Sequence, residues 1–224
     1  MTKTFKLKSL ALSLAVAGAA SVAMVPATSQ AGVSANIGMV SNYVFRGVEQ
    51  TESASASAGL DFESDSGFYI GTWAADVESG LEYDLYAGWG GEFEGISLGL
   101  GASGYYYTDT AFDSAYEEVN ASIGYGMFTL GYDKGVYKPS AGDVDYDHKY
   151  VSVAYNDFSA TLGLNDGDID TSDDALTYID LGYSTELAAG FDGSINLIAT
   201  SSEDSATKDQ SYLVLGVSKS FDLM

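Results

Sequence analysis

The sequence predicts an all-β protein, a transmembrane antiparallel up-and-down β-barrel of about twelve strands with both termini in the periplasm. Three observations predict it. Apolar and small or polar residues trade places at every second position, in about a dozen runs of roughly ten residues. Aromatic residues gather near the ends of those runs. The connections between runs alternate between short and long.

The chain opens with Lys3, Lys6 and Lys8, an apolar stretch from Leu10 to Val25, and small residues at Ser29 and Ala31. A basic region, an apolar region and an A-x-A-like site make a secretory signal, so residues 1–31 are read as a cleaved signal and 32–224 as the barrel. The alternative, an N-terminal membrane anchor, is disfavoured because the apolar core is short for a span. No further run of 18 apolar residues follows. The chain has no cysteine, which excludes a lipoprotein, disulfides and thiolate metal sites. Cleavage removes three of the nine basic residues and none of the 32 acidic ones, taking the net charge from −23 to −26. Such a chain does not bind nucleic acid through phosphate contacts. The 13% aromatic content and frequent β-branched residues argue for order despite the acidity.

The first run is Ser34 to Gly47, with Asn36, Gly38, Val40, Asn42, Val44 and Arg46 on one face. The second, Ser53 to Glu63, alternates Ala54, Ala56, Ala58, Leu60 and Phe62 with Ser55, Ser57, Gly59, Asp61 and Glu63. In a barrel the apolar face meets lipid and the polar face lines the lumen. Further runs follow at Phe68–Val77, Leu81–Gly90, Ile96–Tyr107, Tyr116–Tyr125, Phe128–Val136 and Lys149–Tyr155. The last four are Phe158–Leu164, Ala175–Ser184, Phe191–Thr200 and Ser211–Phe221. In the third run Phe68 and Tyr69 compete for the lipid side.

Even-to-odd connections are mostly short, as at Ser64–Gly67, Gly91–Gly95, Gly126-Met127 and Asn156-Asp157. Odd-to-even ones are mostly long, as at Thr108–Ala115, Tyr137–His148, Asn165–Asp174 and Ser201–Gln210. A barrel sorts its loops this way because one end faces the periplasm and the other the outside; a soluble periplasmic sandwich, the competing fold, has no reason to. Neither of the two prolines, Pro26 and Pro139, falls inside a run, where a missing N–H would break the ladder. The last run ends on the aromatic Phe221, as outer-membrane assembly signals do, but Asp222-Leu-Met224 follow it.

The segment Ser41-Asn-Tyr-Val-Phe-Arg-Gly-Val-Glu-Gln-Thr51 resembles the N-terminal signature of the TorF-type porins of proteobacteria, also termed the Gcw_chp conserved proteins. Gly67-Phe-Tyr-Ile-Gly-Thr-Trp73 and Glu82-Tyr-Asp-Leu-Tyr-Ala-Gly88 are similar to the same family. The resemblance is strong over roughly residues 36–106 and diffuse beyond. It implies an outer-membrane β-barrel with a pore function, and it brings no catalytic residues to carry over.

Arg46 is the only arginine, placed by alternation in the lumen near the outer end of the first strand. Asp61, Glu63, Glu82, Asp84, Glu118 and Asp133 are assigned to the same interior by facing. A lone cation among carboxylates either organises a constriction or fixes strand register as a structural ion pair. An excess of interior carboxylates favours cations. In the loop Asn165–Asp174, Asp166, Asp168 and Asp170 have calcium-loop spacing, but Thr171 stands where the loop glycine belongs and no Glu closes it. The other reading of that loop, and of Asp143-Val-Asp-Tyr-Asp147, is an acidic outer rim bridged by divalent ions to lipopolysaccharide phosphates. His148, the only histidine, follows Asp145 and Asp147, which raises an Asp–His hydrolase reading; no nucleophilic Ser stands in a recognisable setting. Tyr105-Tyr-Tyr107, Trp73 and Trp89 suit interfacial aromatic girdles, and an aromatic sugar platform is the sharper alternative.

The expected function is passive diffusion of small hydrophilic solutes or ions across the bacterial outer membrane, with cation preference and no cofactor. The second expectation is a non-conducting surface protein that binds a partner or divalent cations through its outer loops. Expected partners are outer-membrane lipid and lipopolysaccharide, the solutes themselves and the outer-membrane assembly machinery.

Overall fold

A computed structural model describes residues 31–108, 115–139, 142–167, 175–202 and 208–223. The expected signal, residues 1–31, lies outside these except for Ala31. Among the described residues no helix is long and apolar enough to cross a membrane.

The described residues form fourteen strands: β1 (Gly32–Val40), β2 (Val44–Phe45), β3 (Val48–Glu49), β4 (Ser55–Glu63), β5 (Phe68–Asp76), β6 (Leu81–Phe93) and β7 (Ile96–Tyr107) come first. Then follow β8 (Ala115–Tyr125), β9 (Phe128–Lys138), β10 (Val144–Tyr155), β11 (Phe158–Gly167), β12 (Leu176–Glu186), β13 (Asp192–Ser202) and β14 (Ser211–Asp222). Twelve of them, β1 and β4 to β14, close into one antiparallel barrel with each strand beside its neighbour in sequence. β1 closes the ring by pairing with β14 (Val40↔Gly216) and with β4 (Val40↔Ser55). Closure leaves no edge strand, so each backbone group in the hydrocarbon has a partner within the wall.

The pleat sorts the side chains. Along β4 the residues Ala56, Ala58, Leu60 and Phe62 are exposed on the outside, while Ser55, Ser57, Gly59, Asp61 and Glu63 turn inward. Leu100 (62% exposed), Leu162 (55%), Leu197 (55%) and Leu213 (56%) stand on the outer wall. Burying a leucine is worth roughly 1.5–3 kcal/mol, so a wall this apolar is solvated by lipid rather than water. Phe93, Tyr125, Phe128, Tyr155 and Phe158 ring the short-turn end and form a girdle at that interface. The chain is a transmembrane barrel of the bacterial outer membrane.

In β5, the third run of the sequence reading, Phe68 faces outward and Tyr69 inward. Trp89 lies on the outer side and donates to the Ser66 carbonyl at 2.8 Å, as a girdle indole should. Trp73 departs from the girdle expectation: it faces inward and meets Tyr43 edge-on at 5.7 Å. The three tyrosines split, with Tyr105 buried inside and Tyr106 stacked on Tyr83 outside.

Two strand boundaries differ from the sequence reading by more than three residues. β1 stops at Val40, seven residues before the expected Gly47, because the chain leaves the wall there and turns into the lumen. β10 starts at Val144 rather than Lys149, so Asp145, Asp147 and His148 belong to a strand and not to a loop. Its upper half reverses the usual pattern: Tyr146, His148 and Tyr150 are buried inside, while charged residues look outward. Of those charges, Asp147 pairs with Lys134 at 3.7 Å and Lys149 with Asp166 at 3.8 Å across strands, and Lys138 on β9 pairs likewise with Glu117 on β8 at 2.6 Å.

Inside, tyrosine rings lie on the glycines directly opposite them. Tyr69 faces Gly88, Tyr86 faces Gly71, Tyr146 faces Gly135, Tyr150 faces Gly131 and Tyr178 faces Gly163. A Cβ at Gly131 would fall on the Tyr150 ring. Gly131→Val is therefore expected to cost about 1–3 kcal/mol by overpacking. A lower temperature for loss of the fast-migrating folded form on an unheated gel checks this, and unchanged stability contradicts the ring-on-glycine packing.

Candidate functional site

The segment from Ser41 to Ala54 does not continue the wall. It enters the lumen as a small hairpin, with Val44 opposite Glu49 and Phe45 opposite Val48. The link between the two strands is Arg46-Gly47, both left-handed at φ 50° and 85°. A two-residue hairpin turn with positive φ at both positions matches strand twist, and an arginine there is uncommon. Gly47 is the residue the tip requires, since a Cβ would sit 2.8 Å from Tyr178 Cβ and 3.0 Å from Thr200 Cγ2 on the far wall. Tyr43 and Thr51 tie the base of the hairpin, the Tyr43 N–H donating to Thr51 Oγ1 at 2.8 Å.

The hairpin brings its own apolar core into the lumen. Val40, Tyr43 and Val44 pack with Ala75, Val77, Ile198 and Val214, inward-facing or connecting residues of the wall. Its polar tip carries Arg46, 5% exposed, into a nest of acceptors. Arg46 Nη1 and Nη2 donate to Glu118 Oε2 and Oε1 at 3.0 and 2.9 Å, a two-pronged pair, and Nη2 also donates to Asp133 Oδ2 at 3.0 Å. Asn120 bridges the two carboxylates, donating to Glu118 Oε1 at 2.9 Å and Asp133 Oδ1 at 3.0 Å. Tyr105 and Tyr146 donate to Glu118 at 2.7 and 3.1 Å. Asn165 Nδ2 donates to the Arg46 carbonyl at 2.8 Å, which satisfies the tip backbone.

His148 lies in this network rather than beside Asp145 and Asp147. Its Nδ1 is 2.8 Å from Asp133 Oδ2 and its Nε2 is 3.0 Å from the Tyr178 hydroxyl. It is 1% exposed and stacked between Tyr150 and Tyr178. An imidazole engaged at both nitrogens and sealed from solvent leaves no nitrogen for a substrate, so the edge-of-strand geometry of the hydrolase reading is absent.

Glu82 and Asp84 also face the hairpin from β6. Tyr43 donates its hydroxyl to Glu82 Oε1 at 2.8 Å. Asp84 is 1% exposed, and neither of its carboxylate oxygens has a hydrogen-bond partner. Asp61 and Glu63 stand apart, toward the short-turn end, half-buried on the inner wall. Tyr86 donates to Asp61 Oδ1 at 2.5 Å and Asn36 to its Oδ2 at 3.4 Å. Asp180 adds a third inward carboxylate at that depth, held by Asn196 at 2.8 Å.

The lumen thus has two tiers. The upper one, toward the long loops, is filled by the hairpin and gathers Arg46, Glu82, Asp84, Glu118 and Asp133. The lower one is polar, half-buried and carries Asp61, Glu63 and Asp180. Asp61, Glu63, Glu82, Asp84, Glu118 and Asp133 face inward, as alternation assigns them, and Asp180 joins them; alternation carries no sign of the hairpin or of the Tyr43, Asn120, Asn165 and Tyr178 contacts. The legible signal was the apolar residues Ala75, Ile198 and Val214 at lumen positions, which a water-filled wall does not call for. Asp166 is exposed beside Lys149, and Asp168 and Asp170 lie outside the described residues.

The model of Gcw_chp, described as a bacterial protein of unknown function, matches residues 25–221. No curated protein matches the chain. Among solved structures the chain is similar to OccK1 (OpdK) of Pseudomonas aeruginosa, at 12% identity and a TM-score of 0.45, covering 86% of this chain and 66% of that one. It is similar to OprD of Pseudomonas aeruginosa at 11% identity, a TM-score of 0.45 and coverage of 86% and 66%. It is similar to a membrane protein from work on in-meso crystallization at 12% identity, a TM-score of 0.58 and coverage of 86% and 84%. The chain spans about two thirds of the length of the two Pseudomonas proteins, and at these identities the likeness is one of fold.

Replacing Arg46 by Ala is expected to destabilise the barrel by about 3–5 kcal/mol, because Glu118 and Asp133 stay buried without their cation. Adding Glu118→Gln and Asp133→Asn should restore part of the loss. Urea unfolding of the three variants in detergent measures this, and a neutral Arg46→Ala contradicts the arrangement.

Proposed function

The chain belongs to the Gcw_chp family, and we propose that it is an outer-membrane channel for passive diffusion of small hydrophilic solutes or ions, selective for cations and obstructed on its outer side by the Ser41–Ala54 hairpin. The TorF-type porin reading of the N-terminal signature is part of this proposal. The observation that carries it is the charge of a polar inner wall. Asp61, Glu63, Glu82, Asp84, Glu118, Asp133 and Asp180 face the lumen, and Arg46 is the basic residue among them. A passage of one sign raises the local concentration of counter-ions. Twelve strands make a lumen between a filled eight-stranded barrel and a wide porin, so one short hairpin suffices to narrow it. In this reading Asp61 and Glu63, in the half-buried lower tier, select ions, and Arg46 with Glu118 and Asp133 forms the constriction.

A second reading has its own support. Arg46, Glu118, Asp133 and His148 are each 5% exposed or less, so the hairpin closes the upper tier tightly. A barrel plugged this way can be a non-conducting surface protein that works through its acidic outer loops, and in this reading Asp166, at the outer end of β11, holds a divalent cation with Asp168 and Asp170.

Single-channel recording in a planar bilayer under a KCl gradient separates the two. The channel reading expects discrete steps with a reversal potential toward that of K⁺, and a smaller reversal potential for Asp61→Asn with Glu63→Gln. Demonstrably inserted protein that carries no current, with Arg46→Ala equally silent, overturns it in favour of the second.

A further inference from the structure

Among the described residues of the upper tier, Asp84 is the side chain whose charge no contact answers. It lies at the heart of the hairpin–wall contact, 1% exposed, and both carboxylate oxygens lack a partner. The donors around it are committed elsewhere. The Tyr43 hydroxyl goes to Glu82, the Tyr105 hydroxyl to Glu118, and the Arg46 guanidinium to Glu118 and Asp133. Trp73 and Tyr105, directly opposite Asp84 on β5 and β7, flank it with rings. Glu82 lies two residues away on the same inward face, about 7 Å along the strand.

Such a charge is answered either by a proton on Asp84 or by a cation beside it. A buried carboxylate without partners costs several kcal/mol, and a second carboxylate next to it adds repulsion. Four buried carboxylates, Glu82, Asp84, Glu118 and Asp133, share the single guanidinium of Arg46. The guanidinium is spent on the latter two, which leaves the Glu82–Asp84 side of the tier negative.

We propose that Asp84, with Glu82 beside it, binds an alkali cation behind the hairpin. Carboxylate oxygens are hard ligands and take hard cations. Among the described residues no three carboxylate, imidazole or thiolate groups converge to hold a metal, so this pair offers fewer ligands than a calcium cage takes. Because Tyr43 of the hairpin bonds Glu82, the ion sits at the joint between hairpin and wall. Its occupancy favours the seated hairpin, as any ligand favours the state that binds it. The site deepens the cation-preferring reading of the lumen and rests on it.

The test reads stability rather than current, so a silent channel leaves it standing. The folded barrel in detergent is heated at fixed pH and ionic strength in KCl, NaCl, CaCl₂ or N-methyl-D-glucamine chloride, whose cation is too large for the site. The midpoint for loss of the folded form is expected to rise by about 3–6 °C in KCl or NaCl over N-methyl-D-glucamine chloride, saturating with concentration. Asp84→Asn should lose the increment, and Glu117→Gln, on the outer surface, should keep it. Equal midpoints in all four salts, an increment confined to calcium, or an increment that Asp84→Asn retains overturns the proposal. Should Asp84→Asn fail to fold, crystals of the unaltered chain grown in RbCl decide: an anomalous rubidium peak at the Asp84 carboxylate supports the site, and its absence overturns it.

Discussion

A single buried cation holds the inside of this barrel together. The Arg46 guanidinium reaches from the tip of an infolded hairpin to Glu118 on β8 and Asp133 on β9, with both acids almost wholly out of water. Charges in such a place are stable only as a fully satisfied set. The surrounding donors, Asn120, Tyr105, Tyr146 and His148, complete that set. The left-handed backbone at Arg46 is tolerated because the same contacts fix the tip from several strands at once. Without the guanidinium, the hairpin would bring an apolar base and a strained turn into a ring of unanswered carboxylates.

That constraint divides the molecule into regions with different physics. The outer wall is held in lipid by its apolar belt and girdle, and its backbone is satisfied by closure of the twelve strands. The lower lumen is a polar surface of Ser, Thr, Asn and Asp in contact with solvent. The upper lumen is a protein core in miniature, in which Val40, Val44, Ile198 and Val214 pack under the hairpin and tyrosine rings rest on facing glycines. Charge behaves differently in each. Asp61 below has Tyr86 and Asn36 and access to water, whereas Asp84 above has neither.

The wall was legible in the sequence because its rule is local. Alternation of period two assigns lipid and lumen faces strand by strand, and the run Ser53–Glu63 shows it cleanly. The same rule overextended the first strand. Asn42, Val44 and Arg46 continue the alternation past Val40, and nothing local distinguishes a strand in the wall from a hairpin inside it. What ends the wall there is tertiary, the fit of Tyr43 and Val44 against β5, β13 and β14. β10 was read short for a related reason. Its outward charges, answered by Lys134 and by Asp166 on neighbouring strands, look like loop residues until the partner strands are in place. His148 likewise drew attention to the acids beside it in sequence, while its partners, Asp133 and Tyr178, come from β9 and β12.

The ion-pair cluster and the two-tiered lumen both require the hairpin to lie inside the barrel, and thiol accessibility measures that directly. The chain has no cysteine, so a Val44→Cys substitution supplies the only thiol, at a side chain 3% exposed. In folded protein inserted in vesicles, a membrane-impermeant maleimide offered from both sides should leave this thiol unmodified until the barrel is boiled, while Glu52→Cys at the exposed base of the hairpin reacts readily. Rapid labelling of Val44→Cys in the folded barrel would contradict the infolded hairpin, and with it the ion-pair cluster and the two-tiered lumen.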